Sequence, residues 1–252
     1  MDKKEKFRAV LGFVLCQTDE TMEYNTRIIG NKFDNVDFRF NRISMDSKLD
    51  KKTYKRMEKN IAKGSSMFNP NTIDILSFVC TSCCFYLGIE NVNKKLLQGR
   101  NNKDNNFPID NRLKSVTNTA EALLKAIKKM GLKNIALLTP YINELNEIEL
   151  NWFEREGINV LNYGIMELNY DRDISKVKKE YIIKALKKLD DDNIEGFVIS
   201  CTSLRTLQWI DELEKKFNKT IITSNQAHLW YVLRLSGIKE RKKGLGKLFK
   251  KY

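Results

Sequence analysis

No stretch of the chain approaches the ~18 to 20 consecutive apolar residues that a membrane-crossing helix needs, so no membrane span is expected. There is a single histidine, His228, and a single C-x-x-C, Cys80 to Cys83, with no second pair to complete it. A structural zinc site is built from four such ligands, so no metal is expected. Neither G-x-G-x-x-G nor G-x-x-x-x-G-K-[ST] occurs, which removes the glycine-rich cradles of nucleotide cofactors, and no cofactor is expected. A regular, even set of cysteines is also missing. The five present (Cys16, Cys80, Cys83, Cys84, Cys201) lie in apolar stretches and read as reduced thiols, not as a secreted disulfide framework.

What remains is an ordinary globular composition, 42% apolar over 252 residues, enough for a large core in one domain or two small ones. Basic Lys3, Lys4 and Lys6 precede the apolar run Ala9 to Cys16. That run is short for a signal peptide and Leu15 is not the small residue that processing requires, so it reads as the first buried strand of a cytoplasmic protein. The net charge of +13 comes from lysines spread along the chain, the pattern of solvated helix faces, so no nucleic-acid partner is expected. The tail "KERKKGLGKLFKKY", with seven basic residues in fourteen, reads as a solvated extension.

Strand-like runs alternate with amphipathic helical ones. Arg8 to Leu15, Val36 to Ile43, Ile73 to Val79, Asn134 to Leu138, Ile158 to Asn162, Glu195 to Ser200 and Thr220 to Thr223 read as strands. Ala120, Leu123, Leu124 and Ile127 share one helical face, ahead of the stop signal Gly131, and Leu204, Leu207, Ile210 and Leu213 share another. Such alternation specifies an α/β protein with a parallel sheet covered by helices. The Asn-rich segment Gln98 to Asn111 reads as a surface loop.

A long-period repeat organises the chain. "DILSFVCTS" and "EGFVISCTS" each end an apolar strand in Cys-Thr-Ser, and 201 − 80 sets their cysteines 121 residues apart. Two similar βα halves, each ending a strand in one such turn, account for this. The halves are expected at residues 1–115 plus 224–252 and at 116–223. In open α/β sheets ligands bind beyond the carboxyl ends of strands. Backbone N–H groups at a helix start attract anions and favour thiolates. Two turns facing across a cleft would set a thiolate and a thiol on opposite faces of a small acid. Racemisation needs one group to take a proton and another to return one, and double-bond isomerisation needs a nucleophile that adds and leaves. A buried free cysteine is also commonly just a small hydrophobe, and spacing alone leaves both readings open. Cys83 and Cys84 read as core residues and His228 as structural. Ser224 and Asn225 read as a helix start.

The segment "SCTSLRTLQWIDELEKKFNKTIITSNQAHLWYVLRLSG" (200–237) closely resembles the carboxyl-terminal block of maleate cis-trans isomerases. Their relatives, in the aspartate/glutamate racemase superfamily, include the arylmalonate decarboxylases. "CTSCCFYLG" (80–88), "LLTPYINELN" (137–146) and "GFVLCQTDETMEYN" (12–25) resemble other parts of the family pattern, so the likeness spans nearly the whole chain. It implies two pseudo-symmetric Rossmann-like halves, each a parallel sheet flanked by helices, with the active site in the cleft between them. It implies Cys80 as nucleophile or first acid/base and Cys201 as its partner, with Thr81, Ser82, Thr202, Tyr141 and Asn169 as substrate-binding residues. In decarboxylase relatives the first cysteine is a glycine, so two thiols favour an isomerase or racemase over a decarboxylase using Cys201 alone. A non-catalytic anion-binding protein is the third reading. The expected partner is a small carboxylic or amino acid, and a homodimer is compatible with the sequence. One departure stands out. Maleate isomerases carry Asn in the first loop where this chain has Asp19, as does the ectoine-utilisation branch. An ionised Asp would repel a substrate carboxylate, so Asp19 could bind an ammonium group, activate Cys80, or cap the following helix.

Overall fold

The computed structural model describes residues 7–46, 48–101 and 110–252. Lys3, Lys4, Lys6 and residues 102–109 of the Asn-rich segment lie outside them. The first half runs β1 (Ala9–Cys16), α1 (Met22–Gly30), β2 (Val36–Ile43), α2 (Lys51–Ser66), β3 (Ile75–Val79), α3 (Thr81–Leu87), α4 (Ile89–Arg100) and β4 (Ser115–Asn118). The chain continues through α5 (Thr119–Met130), β5 (Asn134–Thr139), α6 (Asn143–Arg155), β6 (Asn159–Ile165), α7 (Asp171–Ile174), α8 (Lys179–Leu189) and β7 (Gly196–Ile199). It closes with a 3-10 turn (Leu207–Trp209), α9 (Ile210–Phe217), β8 (Thr220–Thr223), α10 (Ser224–Leu235) and α11 (Gly246–Lys251).

The eight strands form two four-stranded sheets, ordered β2-β1-β3-β4 and β6-β5-β7-β8. Every ladder is parallel. Advancing each strand number by four turns the first order into the second, so the repeat read from the two Cys-Thr-Ser strands is a repeat of topology. The inner strands are buried almost throughout, as a parallel sheet covered on both faces requires: every residue of β1, β3 and β7, and all of β5 after Asn134, is shielded.

Local chemistry sets the helix ends. Asp50 accepts from the Thr53 N–H at the start of α2, and Asn118 from the Glu121 N–H at the start of α5. Gly131 ends α5 in the left-handed conformation expected of it (φ 73°). A capping box between Thr223 and Gln226 opens α10. That helix packs against α5 and α1, and its His228 is fully buried between Ser77 and Thr119 (3.0 and 3.1 Å). Burial pushes the imidazole down to about 3, so it is neutral, the structural histidine anticipated.

Three expectations need correction. The strand Ser115–Asn118 was not anticipated. It straddles the expected boundary at 115/116 and pairs with β3 in the first sheet. Its four residues, SVTN, carry too little apolar signal to announce a strand. The basic tail is no solvated extension. Leu245, Leu248 and Phe249 are buried, and Phe249 meets Phe33 at 6.0 Å. Asp211 and Glu214 accept from the backbone N–H groups of Gly246 and Lys247, tying the tail to α9. Its lysines mask three apolar side chains that face inward. The third concerns Leu204, which is buried with Leu207, Ile210 and Leu213 but sits in the turn ahead of the helical segment.

Candidate active site

Both Cys-Thr-Ser turns emerge from carboxyl ends of inner strands, Cys80 after β3 and Cys201 after β7, and both cysteines line one small pocket between the sheets. Asp19 from the β1–α1 loop also enters it, with Thr81, Ser82, Tyr141, Thr202 and Ser203. Cys16, at the end of β1, and Asp171, at the start of α7, complete the polar wall, while Met45 and Leu49 supply apolar cover. The free space is about 10 Å³, room for one water molecule, so the walls must part to admit a substrate.

The two turns are tied to each other. Ser224 Oγ, at the first position of α10, receives the Thr81 hydroxyl (3.0 Å) and the Cys201 backbone N–H (3.0 Å). Asn225 Nδ2 donates to the carbonyls of Thr202 and Leu204, and the Thr21 hydroxyl donates to the Ser203 carbonyl. This frame holds Cys201 at φ 145°, a backbone region that non-glycine residues rarely occupy and that marks local strain. Such strain persists only where surrounding contacts over-determine it, and these bonds do that here.

The thiols are driven in opposite directions. Cys80 is held well below its ordinary value, first by the thiol of Cys16 and then by Cys83, with the Cys83 N–H and Ser82 hydroxyl adding to the effect. The Ser82 hydroxyl lies 3.9 Å from the Cys80 sulfur and receives the buried Tyr54 O–H at 2.9 Å. Burial pushes Cys201 up, and the nearby Asp171 carboxyl adds to the rise. The Ser203 N–H donates to its sulfur at 3.4 Å, and Tyr141 partly opposes the rise. The surroundings therefore favour the thiolate form at Cys80 and the protonated thiol at Cys201.

Two carboxyls share the pocket with them. Asp19 is buried, and Oδ1 accepts from the N–H groups of Thr21 (3.1 Å) and Met22 (2.8 Å). It therefore does anchor the start of α1, one of the roles read from the sequence. Its other oxygen, Oδ2, has no hydrogen-bond partner among the described residues. Burial raises this acid to about 7, against the pull of the two N–H donors. Asp171 accepts the Ser203 hydroxyl at 2.6 Å and is likewise raised by burial.

Of the residues singled out in the sequence, Cys80, Cys201, Asp19, Thr81, Ser82, Tyr141 and Thr202 meet in this pocket. Asn169 does not. It is exposed, and its carbonyl accepts from Leu49 N–H. The side chain this segment sends inward is that of Asp171, two residues on, where the chain turns into α7. Asp171, Cys16, Tyr54 and Ser224 were missed. Cys16 ends an apolar strand like any core cysteine, and nothing local marks the other three. Cys83 and Cys84 are buried in the core as expected.

The structure is thus a parallel α/β fold in two like halves, with two buried cysteines at matching strand ends. Comparison with known proteins makes this more particular. The sequence profile of the arylmalonate decarboxylase family matches residues 31–249, and the chain belongs to that family. Maleate isomerase of Nocardia farcinica is 24% identical over 136 residues, covering 54% of each chain. Arylmalonate decarboxylase of Bordetella bronchiseptica is 25% identical over 138 residues, 53% of this chain and 57% of that one. The chain thus spans about half the length of these curated relatives. Fold likeness extends further. A cysteine variant of maleate isomerase from Pseudomonas putida, solved with maleate, superposes with a TM-score of 0.84 at 20% identity over 96% of this chain and 97% of that one. A Nocardia farcinica maleate cis-trans isomerase variant, described as holding a covalent succinylcysteine intermediate, gives 0.84 at 17% identity over 97% and 99%. Among the described residues no helix is long and apolar enough to cross a membrane.

Proposed function

We propose that this chain is a cofactor-independent isomerase or racemase that acts on a small carboxylic or amino acid through Cys80 and Cys201. The observation that supports it is the meeting of two cysteines, each just beyond an equivalent strand of its half, in one pocket. In isomerisation the Cys80 thiolate adds to one carbon of the double bond while the Cys201 S–H protonates its neighbour. The carbon–carbon bond, now single, rotates. The Cys201 thiolate then takes back the proton and the Cys80–carbon bond breaks, restoring the Cys80 thiolate, the Cys201 thiol and the double bond. In racemisation Cys80 removes the α-proton and Cys201 returns one to the opposite face. In both cases Cys201 must begin as the acid, which its burial beside Asp171 favours.

Turnover of a panel of small unsaturated and chiral acids, followed by double-bond geometry and by chirality, tests the reading. Cys80→Ala and Cys201→Ala should each lower the observed activity by roughly 10³-fold, the scale of a lost acid/base or nucleophile. Both changes remove little volume and should leave the fold intact. Activity that survives either change would remove the two-thiol mechanism. Carbon dioxide release from a malonate that persists in Cys80→Gly would instead favour decarboxylation through Cys201.

A further inference from the structure

The wall of the pocket contains two carboxyls and no positive charge. Asp19 comes from the first half and Asp171 from the second, and among the described residues no Lys, Arg or His lines the space between them. The nearest guanidinium is committed elsewhere. Arg42 donates to the backbone carbonyls of Cys16 (3.1 Å) and Asp19 (2.8 Å) and pairs with Glu23 at 2.7 Å. Asp19 Oδ2 is left as a buried acceptor without a donor, and a group of that kind costs free energy unless a partner arrives. The Tyr141 hydroxyl, 1% exposed, lines the same space beside Cys201 and has no hydrogen-bond partner of full geometry among the described residues. The pocket thus presents one unpaired acid oxygen, Asp19 Oδ2, a second carboxyl on Asp171 held by the Ser203 hydroxyl, and the Tyr141 hydroxyl.

We propose that Asp19 and Asp171 form a nitrogen-recognising end of the pocket, and that the substrate is a small acid with one protonated amino group. Its ammonium N–H groups satisfy the carboxyl oxygens, while its carboxylate takes the hydroxyl of Tyr141 and those of the Cys-Thr-Ser turns. A dicarboxylate would set one of its charges against the two acids with no cation to offset it. This reading rests on the pocket being the substrate site of the proposed isomerase or racemase.

The test is direct binding at pH 8 to ligand pairs that differ only by an amino group: aspartate with succinate, glutamate with glutarate, alanine with propionate, both enantiomers of each amino acid being used. Isothermal titration should show at least one amino acid bound 10-fold or more tightly than its partner acid. Asp171→Asn should cut that preference by 10-fold or more. Asp19→Asn should do the same, provided circular dichroism shows α1 intact; Asp171→Asn keeps the test alive if it is not. Equal or tighter binding of the plain acids overturns the proposal. So does no binding by any member of the three pairs, or a preference that survives Asp171→Asn. Failure of the two reaction proposals stays separable. A preserved amino preference with turnover insensitive to Cys80→Ala sinks the two-thiol chemistry alone, and thiol-dependent turnover of a preferred dicarboxylate sinks the nitrogen-recognising end alone.

Discussion

The two Cys-Thr-Ser turns share a sequence, a strand end and a pocket, yet their thiols are set against each other. The first runs straight into α3, with Cys80 as the residue capping it, and surrounds its sulfur with other thiols, a hydroxyl and a backbone N–H. The second makes a non-helical turn at an unusual φ, with its sulfur buried near an acid. Repetition supplied matching positions, and unlike neighbours then push the two thiols in opposite directions.

The comparison breaks most visibly in reactivity. Both cysteines are 6% exposed in the same pocket, so access is matched and alkylation rates report thiolate fraction. Iodoacetamide at pH 7 should modify Cys80 roughly 100-fold faster than Cys201, read by peptide mass spectrometry. Similar rates would show that the two turns are electrostatically alike.

The second turn also sits on a buried acid. Glu149 on α6 is fully shielded, neither carboxyl oxygen has a hydrogen-bond partner of full geometry, and burial raises it to about 8 despite the Ser200 hydroxyl beside it. Ser200 immediately precedes Cys201. In the unfolded chain this acid ionises near its ordinary 4.5, so between there and about 8 the folded state holds more protons. Stability should therefore fall as pH rises through that window and level off above it. Glu149→Gln should match the parent near pH 5 and exceed it by about 2 kcal/mol at pH 8 in urea unfolding. A parallel pH dependence in both proteins would assign the effect to other groups.

Cys16 plays the corresponding part under the first turn. Replacing it with Ala removes the largest influence that lowers Cys80, so the thiolate fraction of Cys80 at pH 7 should drop about 10-fold, with its alkylation midpoint moving to higher pH. Cys201 should be unaffected. The smallest effect is expected at the shared tie. Ser224→Ala deletes the acceptor of both Thr81 and the Cys201 N–H and should cost about 1 kcal/mol of stability. Activity should fall through kcat more than KM, because the strained Cys201 backbone loses one of the bonds that hold it. An unchanged kcat would separate the strain from the chemistry.

Much of this architecture was legible in the chain. The inner strands announced themselves because parallel strands buried on both faces are nearly continuous hydrophobic runs; the half-buried edge strand β2, which alternates polar and apolar residues, and the buried edge strand β8 also fall where they were expected. The repeated Cys-Thr-Ser turns and the family resemblance located most of the pocket wall. What stayed hidden had no local signature. Ser115–Asn118 is polar and short, and becomes a strand only because β3 offers it an edge. Asn169 looked like the inward residue of its segment, but the chain turns so that Asp171 enters instead. The tail's lysines concealed the side chains that dock it.

The spacing of its cysteines and strands therefore determined, by itself, a two-halved α/β protein with paired thiols at strand ends, because periodicity and strand polarity are properties of the local chain. Only the tertiary structure gave the two thiols unlike surroundings, and set two carboxyls in their pocket with no cation among the described residues lining it. Ionisation depends on burial and on neighbours distant in sequence, such as Cys16 against Cys80 and Cys80 against Cys201, and folding alone brings those together.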